Sequence, residues 1–227
     1  MGMKKFVFFD LDGTLADTDP DIRLSWKAAM ADLGLECPRF DELFVAGPPI
    51  EEMMRVLFPN DATPEMIDAV RRAFALHYDS DGFPATKEYP GVLDEVRRLK
   101  AAGSTVAIVT NKRYAGAMAI ARHFGWCDIF DGIYAGDMFL TAQPYERFRA
   151  AGLEVQVEKY RKPALLSMVM RLYGARPEDC AMVGDTVSDF EAAAANNVFS
   201  VAVAWGYGTA AELSMANSVC RHLPLPL

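Results

Sequence analysis

The stretch Phe6-Val-Phe-Phe-Asp10-Leu-Asp12-Gly-Thr-Leu15 decides how the rest of the chain is read. Four apolar residues have the character of a buried strand. Two carboxylates follow two positions apart, and a glycine comes directly after them. Residues i and i+2 of an extended chain share a face. Asp10 and Asp12 therefore crowd like charge onto one side unless a cation or a proton separates them. Gly13 lets the backbone turn sharply past whatever lies there. The run predicts a metal-dependent site in which one carboxylate does covalent chemistry and the other moves protons.

Beyond Leu15 the periodicity changes from strand to helix. Ile22, Trp26, Ala29, Met30 and Leu33 recur at helical spacing up to Gly34. A second helix is expected from Ile50 to Leu57, stopped at Phe58-Pro59, and a third from Pro64 to Tyr78 with Ile67, Val70, Phe74 and His77 on one stripe. From Tyr89 onward short apolar strands alternate with amphipathic helices. The strands are Thr105–Val109, Gly132–Ala135, Cys180–Val183 and Ser200–Val203, and the helix from Pro163 to Tyr173 has proline in its first turn and Gly174 as its stop. That alternation predicts an α/β fold, a parallel sheet covered by helices on both faces, with the first strand inside it. The helical block 17–84 then reads as an insertion into a core made of 1–16 and 85–227. Asp137 to Arg161 is long for a strand-to-helix connection, usually ~2–6 residues. A helix from Tyr145 to Ala151 and a strand or hairpin arm from Leu153 to Val157 are expected there, with no legible function.

In open parallel sheets ligands bind beyond the carboxyl ends of the strands, and three more strand ends or helix starts carry chemistry. Thr110-Asn111-Lys112 can hold phosphate oxygens with side-chain and backbone donors, or simply cap a helix. Lys162-Pro163 opens a helix, where a lysine opposes the dipole unless an anion sits between them; a solvated lysine is the alternative. Gly184-Asp185-Thr-Val-Ser-Asp189 places two carboxylates at a glycine-bearing strand end. It suits a hard cation such as magnesium, or an N-cap at Asp185 with a first-turn Asp189.

Composition narrows the partners. The 227 residues are 52% hydrophobic and 24% charged, which fits a folded chain. A formal net charge of -8 disfavours nucleic acid. It leaves room for a small anion held by a local cluster of metal, lysine and backbone N–H groups. No apolar run approaches the ~20 residues of a spanning helix, so no membrane partner is expected. Cys37, Cys127, Cys180 and Cys220 are widely spaced with no Cys-x-x-Cys, which predicts reduced, buried thiols and a cytoplasmic location.

At these residues the sequence resembles the haloacid dehalogenase-like hydrolase superfamily, in its phosphoglycolate phosphatase-like branch, over nearly the whole chain. Gly47-Pro-Pro-Ile-Glu-Glu52, Tyr89-Pro-Gly-Val92 and Trp205-Gly-Tyr-Gly-Thr209 resemble that branch as well. The resemblance implies a Rossmann-like three-layer α/β/α core with an inserted helical-bundle cap. It implies a magnesium-dependent phosphomonoester hydrolase that acts on a small, phosphoglycolate-like metabolite through an aspartyl-phosphate. Asp10 would be the nucleophile and Asp12 the acid and base. Mg2+ would be held by Asp10, Asp185 and the backbone carbonyl of Asp12. Thr110, the Asn111 backbone and Lys162 would bind phosphoryl oxygens, with Gly184 in support and Asp189 orienting Lys162 or a metal-bound water. The loop at Gly47 and Pro48 is expected to face the site as a substrate loop, and the chain to act as a monomer or homodimer. Two departures bear on the substrate: Ala164-Leu165-Leu166 follows Lys162-Pro163, and the segment before Lys162 is long. A phosphosugar mutase of the same superfamily is the alternative enzyme. A phosphonatase is disfavoured because Lys27 is the lone lysine of the helical block. A catalytically retired binding protein is the alternative from a different class.

Overall fold

The computed structural model describes residues 3–80, 82–140, 145–156 and 159–227. In chain order the elements are β1 (Phe6–Phe9), β2 (Ala16–Asp17), α1 (Asp19–Asp32), α2 (Phe40–Leu43), α3 (Ile50–Leu57) and α4 (Pro64–Ser80). There follow β3 (Lys87–Glu88), α5 (Val92–Ala101), β4 (Thr105–Thr110), α6 (Tyr114–His123), β5 (Gly132–Ala135) and α7 (Tyr145–Ala150). The chain closes with α8 (Lys162–Leu172), β6 (Cys180–Gly184), α9 (Val187–Ala195), β7 (Phe199–Val203), α10 (Ala210–Leu213) and β8 (Ser218–Cys220). Two compact units result, one of Met1–Ala16 with Glu88–Leu227 and one of Asp17–Lys87.

The larger unit is an α/β layer structure around a six-stranded sheet in the order β5-β4-β1-β6-β7-β8, with neighbouring strands parallel. Phe9 pairs with Ile108 of β4 and Val183 of β6, so the three central strands reach the same edge of the sheet within two residues of one another. The alternation of a strand sorts the first run between the two faces. Phe8 joins a cluster with Met182, Leu165 and Leu166, while Phe9 meets Phe130 edge-on, their ring centroids 6.4 Å apart. Both faces are dry, which is why these strands read as unbroken apolar runs.

The smaller unit is helical. Trp26 of α1 packs against Phe44 and against Phe74 of α4, and Phe74 stacks on Tyr78. The short α2, the two-residue β2 and β3, and the edge strand β8 were not anticipated, because two to four residues carry no measurable period.

The segment between β5 and α8 is folded onto the sheet. Met138, Phe139, Phe148 and Leu153 are buried in the same cluster as Phe8 and Leu165. Phe139 meets Phe148 and Tyr160 edge-on, and the Tyr160 N–H donates to the Gly136 carbonyl at 2.8 Å. Helix α7 lies where the helix was expected, but Leu153–Gln156 form no strand. The alternating apolar pattern there buries Leu153, and the Gln156 N–H is taken up by the Tyr160 hydroxyl at 3.0 Å instead of a ladder partner. Val157 lies outside the described residues. The cysteine expectation needs correction as well. Cys180 and Cys220 are buried, but Cys37 is half-buried and Cys127 is exposed.

Phe148 is completely buried, and Phe148→Ala leaves a ring-sized cavity. The expected cost is about 3–5 kcal/mol, read from urea unfolding. A change below ~1 kcal/mol would show that this segment does not pack on the sheet.

Candidate active site

Asp10, Thr110 and Asp185 lie at the carboxyl ends of three adjacent strands, since β1 lies between β4 and β6. Asp10 N–H still donates to the Val183 carbonyl at 2.9 Å, so the residue is anchored by the ladder. The chain then reverses: Gly13 N–H donates to the Ala16 carbonyl at 2.9 Å, with Gly13 at φ 73°. A methyl on Gly13 would overlap the Asp185 carboxylate, so both the dihedral and the close approach demand glycine.

Lys162 opens α8 and its side chain is 2% exposed. Its ammonium donates to Asp189 Oδ1 at 2.6 Å and lies 2.9 Å from Asp10 Oδ1. Among the described residues no well-aligned hydrogen-bond donor meets Asp10 Oδ1, so the Lys162 contact is chiefly an ion pair. Asp189 is held in turn by Thr186, whose backbone N–H and hydroxyl both donate to Oδ2 at 3.1 Å. Thr186 is the N-cap of α9 and Asp189 its third residue. Asp185 therefore does not cap the helix, and Asp189 orients Lys162. Gly184 admits Asp189, since a methyl there would overlap its side chain.

Asp185 is fully buried. Its Oδ2 accepts from the Tyr207 N–H at 2.7 Å and its Oδ1 from the Thr14 hydroxyl at 3.2 Å. Asp12 Oδ1 accepts from the Lys112 ammonium at 2.9 Å. The Thr110 hydroxyl accepts from the Lys112 N–H at 3.1 Å, which leaves its proton for another acceptor. The Asn111 side chain donates to the Ser188 hydroxyl at 2.9 Å, so the backbone of Asn111 is the group left to meet an anion. Gly47, at φ 115°, and Pro48 lie at an exposed bend ahead of α3 in the helical unit.

The charges explain each other. Burial pushes the Asp185 carboxyl up to about 8, and the charges of Asp10 and Asp189 add to the shift against the Tyr207 hydrogen bond. Burial also raises Asp10 to about 6, held down by Lys162 and pushed up by Asp189 and Asp12. Burial works against the charge of Lys162, but Asp10 and Asp189 outweigh it and raise its pKa. Among the described residues four carboxyl groups face two ammonium groups here, and the raised carboxyls are the response to burial and to that excess of acid. Oxygen atoms of Asp10, Asp185 and Asp189 lie within 4.8 Å of one another. An all-oxygen cluster of buried carboxylates with raised pKa values fits a hard divalent cation. Asp189 is engaged by Lys162 and Thr186, so Asp10 and Asp185 are the side chains of this cluster that could hold it.

Sequence reasoning assigned no role to Lys112, Thr14 or Tyr207. The available signal was the pair of glycines around Tyr207: a methyl on Gly206 or Gly208 would overlap Asp185, and such crowding at the end of β7 marks a backbone brought against a functional group.

The haloacid dehalogenase-like hydrolase family matches residues 7–203. The chain is 35% identical over 164 residues to the phosphoglycolate phosphatase of Cereibacter sphaeroides, covering 68% of this chain and 74% of that one. It is 30% identical over 207 residues to the tyrosine-protein kinase PtkA of Mycobacterium tuberculosis, where it spans 91% of its own length and 64% of the kinase's. The fold is that of CbbY from Rhodobacter sphaeroides, solved in complex with phosphate, at a TM-score of 0.73 and 23% identity over 96% of this chain and 94% of that one.

The raised carboxyls set a pH dependence. With folded values of about 8 for Asp185 and about 6 for Asp10 against an ordinary 3.8, the native state binds more protons than the unfolded chain between those limits. Stability without a cation therefore falls as pH rises through that window. The melting temperature in chelator is expected to drop from about pH 5 to about pH 8 relative to Asp185→Asn, and added Mg2+ to restore more of it at the upper end. A Mg2+ effect that does not grow with pH would count against cation binding at these carboxylates.

Proposed function

The chain belongs to the haloacid dehalogenase-like hydrolases, and on that premise we propose that it is a cytoplasmic, magnesium-dependent phosphomonoesterase acting on a small organic phosphate of the phosphoglycolate kind. The observation that carries this reading is the Asp10 carboxylate. It is buried, its Oδ1 lies 2.9 Å from the ammonium of Lys162, and it has an oxygen within 4.8 Å of one from Asp185. A carboxylate held ionised beside an ammonium group, at a site that can take a cation, is suited to act as a nucleophile.

In this reading Asp10 attacks phosphorus, the bond from phosphorus to the ester oxygen breaks, and Asp12 gives its proton to the departing alkoxide. Asp12 then takes a proton from the water that attacks the aspartyl-phosphate, and Asp10 is regenerated as inorganic phosphate leaves. Bound Mg2+, held by Asp10, Asp185 and the Asp12 carbonyl, would offset the repulsion between carboxylate and phosphate and the charge that develops in transfer. The Thr110 hydroxyl, the Asn111 N–H and the Lys162 ammonium would bind phosphoryl oxygens. Lys162 is suited to this because Asp189 fixes its position.

Substrate choice would fall to the helical unit, with the Gly47-Pro48 bend as its stiff tip. Relatives named phosphoglycolate phosphatase support a small ester. Among the described residues no helix is long and apolar enough to cross a membrane.

Asp10→Asn removes the nucleophile while keeping its shape. It is expected to abolish release of inorganic phosphate from a panel of phosphoglycolate, sugar phosphates, nucleotides and an aryl phosphate, with the fold intact by circular dichroism. Turnover retained by this variant would sink the mechanism. Interconversion of sugar phosphates with no phosphate release would mark the mutase alternative.

A further inference from the structure

We propose that Lys112 is the positioning residue for Asp12, holding its carboxylate in the orientation from which it serves the ester oxygen of the substrate. The inference rests on the hydrolase reading above and deepens it. Asp12 lies past the end of β1 at the turn made by Gly13, where the ladder no longer guides the side chain. Its Oδ1 lies 2.9 Å from the Lys112 ammonium, and the Lys112 side chain is only 7% exposed. A lysine so withdrawn from water needs a carboxylate partner, and its partner here is the acid–base residue and not the nucleophile.

The loop that carries Lys112 is pinned at two points. The Lys112 N–H closes a turn on the Thr110 hydroxyl at 3.1 Å, and the neighbouring Asn111 side chain donates to the Ser188 hydroxyl of α9 at 2.9 Å. A rigid support is what a positioning group requires. Lys162, buried at the start of α8, thus pairs with Asp10 and Asp189, and the part-buried Lys112, just past the end of β4, pairs with Asp12.

Leaving groups distinguish positioning of the acid from plain phosphate binding. An alkoxide needs a proton to depart, while para-nitrophenolate leaves readily without one. Lys112→Met, which keeps the volume of the side chain, is expected to lower kcat/KM roughly 10–100-fold for the alkyl phosphate turned over fastest in the panel, through kcat and not KM. With para-nitrophenyl phosphate the loss should stay within about 3-fold. Lys112→Arg should recover part of the alkyl activity, and adding Lys112→Met to Asp12→Ala should cost nothing further. A crystal structure of Lys112→Met should show Asp12 turned from its present orientation. Equal losses on both esters, a rise in KM alone, additive losses in the double variant, or an unmoved Asp12 would each overturn the proposal while leaving the hydrolase reading intact. Wild-type protein that turns over neither ester would overturn that reading, and this inference with it.

Discussion

One buried ammonium holds the candidate site together. Lys162 donates to Asp189 at 2.6 Å and lies 2.9 Å from Asp10, in a place where an isolated charge of either sign would be strongly unfavourable. The pairing requires several unrelated parts of the chain to agree. Helix α8 must start at Lys162, Gly184 must leave room for the Asp189 side chain, and Thr186 must cap α9 so that Asp189 faces back toward α8. The parallel pairing of β1 with β4 and β6 then brings Asp10 and Thr110 to the same edge of the sheet.

The long segment before α8 takes its meaning from that requirement. Phe139, Phe148 and Leu153 bury themselves against the sheet cluster, and the backbone bond from Tyr160 to Gly136 closes the segment on itself at its start. A departure that read as an anomaly is thus part of the core, and it returns the chain to the position from which Lys162 enters the site.

Electrostatic imbalance is the other constraint. Among the described residues the four carboxyl groups meet two lysines, and burial leaves Asp185 and Asp10 with raised pKa values. Such an arrangement is unstable toward protonation and favourable toward a divalent cation. The same imbalance suits phosphoryl transfer, where a carboxylate must approach an anion without repelling it. The donor groups on Asp185, from Tyr207 and Thr14, orient it without neutralising it.

Much of this was legible from residue order alone. The apolar run into Asp10-Leu-Asp12-Gly13, the alternation of strands with helices and the acidic pair at Asp185 and Asp189 are local patterns, and local patterns follow from side-chain period and turn chemistry. They specified the parallel sheet and the helical insertion. Three things lay outside their reach. The short elements β2, β3, β8 and α2 carry no period. Leu153–Gln156 alternate like a strand but find no neighbouring strand to pair with. The partners of each charge, Lys162 with Asp189 and Lys112 with Asp12, join residues 27 and 100 positions apart. Distances of that kind are created by the crossovers of the sheet, so only the folded chain could decide which lysine serves which carboxylate.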